Sequence, residues 1–529
     1  MMTVEHTTCP SPAPTAAPPS SPSPPAPTTS PAAPAASPAA AAASPLRGSP
    51  VDWPGPPREP WPAGVHPVHA DRDTPAVGGT DGADLPGTAG AGGHATGRLL
   101  ALAAPDLLGH HRRCGPLPWR GPGGYLLREL HDAGLTGRGG AAFPTWRKLA
   151  AVTEAAYPVA GDRLSRRRAG AGGGTGRPRS GGTPVVVANA AEGEPESVKD
   201  VTLLAAAPHL VLDGVQLTAE AVGAGDAFVY VKAGSAAAAV VRRAVAERRA
   251  AGWDRCVIEV REAPVTFLAG EASAVVAALE GATARPRAHW RPLADTGLHG
   301  RPTLVHNVET LAHLAMIARW GSAWFRAVGT ADEPGTLLVT VTGAVAAPGV
   351  VEVPYGTALG DLVGSRGGAV EPVGALRIGG YAGIWLPVAA GPAVPMSREG
   401  LAPWGATPGP GIVSVLPARA CGLAETARLV TYLAAQNAGQ CGPCVSGLPQ
   451  LARSVAAMAR VAGQDTAPDG ENPAQAASRA LRLAALVSGR GACHHPDGAA
   501  RIAHSALRTF AADIRAHTQG HCLGSAHPS

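Results

Sequence analysis

The spacing of apolar residues separates an irregular first part of the chain from a periodic remainder. Residues 1–95 are rich in Pro, Ala, Ser, Thr, Gly and Asp and contain almost no periodic apolar positions. Such a segment cannot bury enough surface to offset the entropy that it would lose on ordering, so we predict that it is disordered. Folded structure is expected from about residue 115 onwards.

The first half of the periodic remainder combines helical spacing with short continuous apolar runs. A strand, a helix and a second strand follow one another over a length that suits a βαβ unit, which predicts a parallel sheet with a right-handed crossover. The turn over 189–195 follows the first strand, at the end where ligands bind to such sheets. The predicted helices cover 125–133, 145–157 and 208–222, and the predicted strands cover 185–188 and 227–231.

From residue 336 the apolar period changes to two. A Pro-Gly turn at 348–349 separates two alternating stretches, which predicts a hairpin. With a helix over 357–363 and a strand over 375–378, this region fits a small β-grasp-like module. Four amphipathic faces follow and predict a helix bundle. Their apolar residues are Leu423, Ala427, Val430 and Ala434; Leu448, Leu451, Val455 and Met458; Leu483, Leu486 and Val487; and Ile502, Ala506, Phe510 and Ile514.

Composition and charge exclude several classes of protein. No apolar run approaches the ~18 residues that a membrane span requires, and residues 1–46 lack the apolar segment of a secretory signal. The net charge of +5 is too small to indicate a nucleic-acid partner. We therefore expect a cytoplasmic protein with no direct membrane span and no nucleic-acid partner.

Lysine is almost absent from the chain. Of the 44 basic residues only three are lysines, Lys148, Lys199 and Lys232, which leaves 41 arginines. An arginine fork does not replace a compact ammonium group at a tight phosphate or flavin contact. Each remaining lysine is therefore expected to have a specific role.

Three of the eight cysteines form a pattern that suits metal or redox chemistry. Cys441 and Cys444 lie on one tight Cys-Gly-Pro-Cys turn, and Cys493 can return to them from a distant helix end. The spacing leaves open a redox-active pair, a zinc site completed by a histidine and an iron–sulfur cluster. A redox pair of the thioredoxin type needs a preceding strand, whereas a helix is predicted here. Cys421, at the start of a predicted helix, is expected to pack as a small apolar residue.

Four further motifs, together with the cysteines, carry a family resemblance. They are Gly134-Leu-Thr-Gly-Arg-Gly-Gly-Ala-Ala-Phe-Pro-Thr145 with Lys148, Asn189-Ala-Ala-Glu-Gly-Glu-Pro195 with Lys199-Asp200, Gly270-Glu271-Ala272, and Pro302-Thr-Leu-Val-His-Asn-Val-Glu-Thr310. In this order they resemble the flavin-bearing, NADH-oxidising 51-kDa-type subunit of bacterial NADH:quinone oxidoreductase, respiratory complex I. The resemblance covers roughly residues 115–515.

The resemblance implies FMN, NADH and an iron–sulfur cluster of the 4Fe-4S or 3Fe-4S type. It also implies hydride transfer from NADH to FMN, then transfer of electrons to the cluster and to an electron-accepting protein partner. The cofactor-binding residues it implies are Gly137, Arg138, Gly139, Gly140, Phe143, Lys148, Asn189, Glu192, Glu194, Gly270, Glu271 and Asn307, and the cluster ligands are Cys441, Cys444 and Cys493.

The same comparison of motifs shows departures from the family pattern. Ala191 stands where the family has a flavin-contacting Asp, Ala272 replaces a candidate nicotinamide-contacting Glu, and Ala438 replaces one cluster cysteine. Ala142 and Glu196 replace family glycines. These changes predict a divergent, stand-alone relative with weakened chemistry, or alternatively a non-enzymatic scaffold that binds a partner.

The predicted fold is a chain of four parts. They are a disordered tail over 1–95, an α/β FMN- and NADH-binding domain over 96–330 with a flexible insertion over 161–182, a β-grasp-like domain of the soluble-ligand-binding type over 331–400, and a helical iron–sulfur domain with a four-helix bundle over 415–520.

Overall fold

A computed structural model of the chain describes residues 98–121, 124–157, 182–287, 291–463 and 471–524. The predicted disordered tail over 1–95 lies outside the described residues. So does the predicted insertion over 161–182, apart from its last residue.

The first sheet is wholly parallel, as the βαβ pattern predicts. Its strand order is β3-β2-β1-β4, so the chain moves outward from β1 to β3 and then returns to the other side of β1. Three consecutive valines of β1 are completely buried because helices cover both faces of the sheet. The last two strands were not predicted, since β3 is half exposed and β4 ends in polar residues. The strands are β1 (Val185–Ala190), β2 (Asp226–Lys232), β3 (Val257–Ala263) and β4 (Thr303–Asn307).

The predicted helices of this half are present with nearly the predicted bounds. The most buried of them, α5, packs against α8, and Gly214 permits their closest approach, since a Cβ there would lie 2.1 Å from the carbonyl oxygen of Leu311. The other helices were not predicted, because their buried faces contain many alanines or polar residues and so show no clear apolar period. The helices are α1 (Leu107–Cys114), α2 (Gly124–Ala133), α3 (Thr145–Ala156), α4 (Lys199–Ala206), α5 (Pro208–Val222), α6 (Ala236–Ala250), α7 (Ala272–Leu279) and α8 (Val308–Arg326).

A second, mixed sheet follows. The predicted hairpin is its β5–β6 pair, and a second hairpin, β7–β8, lies on the other side of β9, which pairs in parallel with β5. The sheet therefore includes β9, which lies beyond residue 400, the predicted end of the β-grasp-like domain. Its elements are β5 (Thr336–Gly343), β6 (Gly349–Pro354), α9 (Leu359–Gly364), β7 (Val373–Ile378), β8 (Ile384–Pro387), α10 (Arg398–Leu401) and β9 (Ile412–Pro417).

The last part of the described chain is helical. Each of the helices α11 to α14 packs against the next, and α14 also packs against β8. The fourth predicted helix is interrupted at Phe510, so it forms two helices. The bounds are α11 (Gly422–Ala435), α12 (Leu448–Met458), preceded by a π-helical turn (Pro443–Gly447), α13 (Pro473–Val487), α14 (His495–Thr509) and α15 (Ala511–Thr518). Short 3-10 helices cover Leu100–Leu102, Phe267–Gly270, Leu298–Gly300, Val388–Ala390 and Ala402–Trp404.

No single helix of the described ranges has the length and apolar character needed to cross a membrane. Only when α4 and α5 are taken together do they have that length and apolar character, and their axes are bent by 96° with respect to each other. Nearly every residue of α5 is buried inside the protein.

The contact between α5 and α8 provides a test of this packing. We expect Gly214→Ala to lower the free energy of unfolding by about 1–3 kcal/mol, because the new Cβ would overlap the carbonyl of Leu311. The matched control is Gly364→Ala at the end of α9, where a Cβ would meet nothing within 4 Å. Denaturation followed by circular dichroism should show the control unchanged or slightly more stable. Equal stability of both variants would contradict the predicted close packing.

Candidate cofactor-binding site

A cavity of about 570 Å³ opens at the carboxyl edge of the first sheet. It lies beyond the ends of β1 and β4, where the strand order reverses: β2 and β3 lie on one side of β1, and β4 lies on the other. This reversal is the place where open parallel sheets bind ligands. Asn189 and Asn307 are paired in register across the two strands, and both line the cavity. The second sheet and the start of α14 supply the other walls.

The cavity brings together eight of the twelve predicted cofactor-binding residues. They come from the glycine-rich loop, the turn after β1, the segment before α7 and the end of β4. They are Gly139, Gly140, Asn189, Glu192, Glu194, Gly270, Glu271 and Asn307.

The turn after β1 lies against the segment that precedes α7. The Asn189 side chain donates to the carbonyl oxygen of Gly270 at 2.8 Å. A Cβ on Gly270 would lie 2.3 Å from the carbonyl oxygen of Ala191, and a Cβ on Gly193 would lie 2.1 Å from that of Phe267. Glycine is therefore required on both sides of this contact, which holds the turn at the cavity wall.

A buried lysine joins several elements below the cavity. The Lys199 ammonium lies 2.6 Å from Asp200 and 2.9 Å from Glu309, and all three side chains are at most 5% exposed. Asn307 donates to the other oxygen of Asp200 at 2.6 Å. Burial opposes the charge on Lys199, but Asp200 and then Glu309 raise its pKa above the usual value. Burial likewise opposes the charge of Glu309, whose pKa is nevertheless lowered to about 2 by Lys199.

Two cavity carboxyls have unusually high pKa values. Burial raises the pKa of Glu192 to about 7, and the nearby Asp200 raises it further, against the effect of Lys199. Burial also raises the pKa of Glu194 to about 7, although Glu194 accepts a hydrogen bond from the backbone N–H of Tyr381 at 3.0 Å. Near neutral pH each group is therefore divided between its neutral and charged forms.

Four residues predicted to bind cofactor lie outside the cavity lining: Gly137, Arg138, Phe143 and Lys148. Arg138 is buried, and its guanidinium donates to the carbonyl oxygens of Thr336, Thr136 and Pro334. It attaches the glycine-rich loop to the start of β5. Phe143 is 45% exposed.

The half-buried Lys148 and the buried His306 lie next to each other outside the cavity lining. The Lys148 ammonium donates to the carbonyl oxygen of Val305 at 3.4 Å, and burial lowers its pKa. Burial, and then the charge of Lys148, lowers the pKa of His306. The structure therefore gives Lys148 a position beneath β4 rather than at the cavity surface.

The three predicted cluster cysteines lie beside the cavity. Cys441 and Cys444 are close enough to hydrogen-bond to each other, and Cys493 interacts electrostatically with both. Cys493 also lines the cavity and interacts with Glu271. Burial opposes ionisation of Cys441, but hydrogen bonds from the backbones of Ala492 and Cys444 lower its pKa.

The histidines that follow Cys493 have other partners. His494 lies 3.1 Å from Asp497, and the Nε2 of His495 lies 2.7 Å from the carbonyl oxygen of Leu433. Neither arrangement favours a zinc site made of these histidines and the three cysteines. A thioredoxin-type pair is also not favoured, since the helix α11 precedes Cys441.

The departures from the family pattern have different surroundings. Ala191 lines the cavity, so a longer polar side chain there would reach a bound ligand. Ala272 begins α7 and packs against a buried apolar cluster rather than lining the cavity. Glu196 accepts a hydrogen bond from the buried Arg377 of β7 at 2.6 Å. Ala438 is buried, and its backbone hydrogen-bonds to the Cys444 sulfur.

Several cavity residues were missed by sequence reasoning. Ile378, Gly379 and Ile384 of the second sheet, together with Arg501 of α14, have no local motif. Only the tertiary fold brings them to the sheet edge. Asp200 belongs to the same motif as Glu192. The two carboxyls could therefore have been predicted to lie close together at the site.

The cavity fits an FMN molecule in size, and part of the charge of its acidic wall is compensated. Its volume is within the range of about 300–1,000 Å³ typical of small-molecule sites. The single charge of Lys199 is shared between Asp200 and Glu309, and the Glu271 carboxylate accepts hydrogen bonds from the N–H groups of Ser273 and Ala274. Because Glu192 and Glu194 are only partly charged near pH 7, the wall repels an anionic cofactor less than fully ionised carboxylates would.

The glycine-rich loop contains a strained alanine. Ala142 has a φ of +45°, in the left-handed region that disfavours side chains. We expect Ala142→Gly to raise the free energy of unfolding by about 0.5–1 kcal/mol. Ala141→Gly, next to it, should lower that energy by a similar amount, since only unfolded-chain freedom changes there. Thermal denaturation of both variants distinguishes these outcomes, and a destabilised Ala142→Gly would contradict the strain.

Comparison with protein families matches two regions of the chain. The profile of the Nuo51 FMN-binding domain matches residues 130–316. The profile of the NADH-ubiquinone oxidoreductase-F iron-sulfur binding region matches residues 424–517. The first region contains the cavity edge formed by β1 and β4, and the second contains all three predicted cluster cysteines.

Comparison with individual proteins extends the similarity over most of the chain. The NADH-quinone oxidoreductase F 2 subunit of Rhizobium meliloti (strain 1021) is 30% identical over 409 residues, covering 74% of this chain and 89% of that protein. The NADH-quinone oxidoreductase F subunit of Streptomyces coelicolor is 28% identical over 418 residues, covering 75% and 83%.

A solved structure is also similar. In the H2-reduced NAD+-reducing [NiFe]-hydrogenase, one chain superposes with a TM-score of 0.62 at 30% identity, covering 75% of this chain and 63% of that one. This chain therefore spans less than two thirds of the hydrogenase chain. The predicted relationship is confirmed, together with its class, an NADH-linked flavin and iron–sulfur oxidoreductase. The chain belongs to the family of NADH-quinone oxidoreductase F subunits.

Proposed function

We propose that this chain binds FMN in the cavity at the sheet edge and passes electrons from NADH to an iron–sulfur cluster beside it. The main observation in support of this proposal is that Cys493 lines the same cavity as Asn189 and Asn307. A cofactor held by the strand ends would then lie next to a cluster ligand. When bound, FMN accepts hydride and the cluster accepts single electrons, while the protein positions both.

We assign the flavin-holding role to the eight predicted residues that line the cavity. Gly139 and Gly140 expose backbone groups where a side chain would occupy space, which suits close approach of a phosphate or a ring edge. Asn189 and Asn307 already hydrogen-bond to Gly270 and Asp200, so their orientation is set before a ligand arrives. Glu192 and Glu194, with pKa values raised to about 7 by burial, can hold or release a proton near the bound ring.

The cluster role is assigned to Cys441, Cys444 and Cys493. The sulfurs of cubane ligands are separated by the cluster itself, so they need not lie as close together as around a single ion. The buried methyl group of Ala438 lies in the loop whose backbone contacts the Cys444 sulfur. A fourth thiolate is therefore missing at a position close to the other ligands, which favours a cluster with one labile or absent iron.

The finer domain layout belongs to the same proposal. A central parallel pair, β5 and β9, has β6 on one side and the β7–β8 hairpin on the other. With α9, this arrangement supports a β-grasp-like domain. With β9 included, that domain would extend to residue 417. Helices α11 to α14 support the predicted helical bundle as the iron–sulfur domain. The cytoplasmic location and the electron-accepting protein partner are part of this proposal.

The function can be tested on the full chain purified anaerobically. We expect flavin and iron in the purified protein, and oxidation of NADH with an artificial electron acceptor. The alternative of a non-enzymatic scaffold predicts folded protein without flavin and without NADH turnover. Colourless, folded protein that binds no FMN at millimolar concentration would contradict our proposal.

Ala191 gives a prediction about flavin affinity. We expect Ala191→Asp to tighten FMN binding about ten- to a hundred-fold, because one added hydrogen bond to a polar ligand group contributes about 1–3 kcal/mol. Ala191→Val is the control, since it adds bulk without a hydrogen-bonding group. Quenching of FMN fluorescence by apoprotein measures both affinities. If the two variants bind FMN equally well, Ala191 does not face the flavin.

Ala438 gives a prediction about the cluster. We expect the oxidised wild type to show a three-iron EPR signal, and Ala438→Cys to replace it with a four-iron cluster containing about one further iron per chain. Ala438→Ser, which supplies no thiol, should leave the three-iron signal in place. An unchanged spectrum and iron content in Ala438→Cys would contradict the assignment of the missing ligand.

A further inference from the structure

A compact group of potential metal ligands lies away from the proposed cofactors, at the end of the helical region. The ligand atoms of Cys421, His517 and Cys522 all lie within 4.8 Å of one another. Among the described residues, the predicted cluster cysteines do not form so compact a group, and no family motif includes these three.

Two distant parts of the chain form this group. Cys421 immediately precedes α11, whereas His517 is in α15 and Cys522 is in the segment that follows it. That segment returns to the start of α11, where a Cβ on Gly524 would lie 2.9 Å from the backbone nitrogen of Cys421. Close backbone packing, rather than chance exposure, therefore brings Cys522 towards Cys421.

The imidazole is oriented for coordination. His517 is 1% exposed, and its Nε2 lies 3.6 Å from the Cys421 sulfur. Tetrahedral bonds of about 2.3 Å to sulfur and about 2.0 Å to nitrogen would separate two such ligands by about 3.5 Å. The spacing found between Cys421 and His517 is therefore that of two ligands to one zinc ion.

Burial raises the pKa of the Cys421 thiol to about 12, and backbone hydrogen bonds at the start of α11 act in the opposite direction. The Cys421 sulfur accepts a hydrogen bond from the backbone N–H of Ala424 at 3.4 Å, and it caps the N-terminus of α11. The positive end of a helix favours a negatively charged sulfur. The Nδ1 of His517 is buried and has no hydrogen-bond partner among the described residues. Coordination through Nε2 would leave the proton on this nitrogen; zinc-bound histidines usually donate that proton to an acceptor, and the described residues offer none.

We propose that Cys421, His517 and Cys522 bind a Zn²⁺ ion that attaches the end of the described chain to the start of α11. Two thiols lose their protons to solvent on binding, the neutral imidazole supplies the third ligand and water occupies the fourth position. This site revises the expectation that Cys421 only packs as a small apolar residue. It is independent of the proposed flavin and iron–sulfur chemistry, because none of its ligands lines the cavity.

Zinc content and zinc K-edge X-ray absorption of the purified full chain test this proposal directly. We expect one zinc per chain, with two sulfur scatterers at about 2.3 Å and a nitrogen or oxygen shell at about 2.0 Å. The wild-type measurement needs no variant, so it holds even if a substitution prevents folding. Wild-type protein without zinc would overturn the proposal, as would a disulfide between Cys421 and Cys522 in peptide mapping of alkylated protein.

Variants then assign the ligands. Cys522→Ser should lower zinc retention against a chelator at least about ten-fold while the iron content stays unchanged. Cys256→Ser is the control, since Cys256 is a half-buried free cysteine beside β3, far from this group in the fold. Zinc retention that is the same in Cys421→Ser, Cys522→Ser and wild type would refute the site. Cys421→Ser and Cys522→Ser variants that lose iron but keep zinc would also refute the site.

Discussion

The buried ammonium of Lys199 is the interaction on which the site depends. It contacts Asp200 at the start of α4 and Glu309 at the start of α8, and Glu309 accepts a hydrogen bond from Leu338 of β5 at 2.8 Å. Asn307 ties the end of β4 to the same Asp200. Removing the ammonium would leave two buried carboxylates without a counter-charge, which costs several kcal/mol. The first sheet, its helices and the second sheet are therefore held together directly beneath the cavity.

The carboxyl edge of the first sheet and the cysteine-bearing part of the helical region lie next to each other, although they are far apart in sequence. The reversal between β1 and β4 opens the cavity, and the second sheet closes one side of it. The helical region then returns to place Cys493 at the wall. Since electron transfer between cofactors requires that they lie close together, this convergence of three parts of the chain gives the proposed path a physical basis.

Much of the fold could be predicted from sequence. Apolar residues recur with a regular period in α5 and in the β5–β6 hairpin, and they form continuous runs in β1 and β2. The parts that could not be predicted depend on tertiary contacts. β9 enters the middle of the second sheet from far along the chain. Arg138 shares a motif with cavity-lining glycines, yet its guanidinium bonds to carbonyls of the second sheet. A motif identifies a loop, but the direction of each side chain depends on what packs against it.

Three of the departures from the family pattern have opposite physical effects. Ala191 and Ala438 remove polar groups on the sides where the cofactors would bind, so they reduce direct contacts. Glu196 instead adds a contact: it pairs with the buried Arg377, whose guanidinium also lies over the rings of Tyr381 and Trp385. This ion pair joins the turn after β1 to β7, behind the cavity wall that contains Glu194. A turn held in this way loses less freedom when a ligand binds, which would offset part of the affinity that we predict Ala191 to cost.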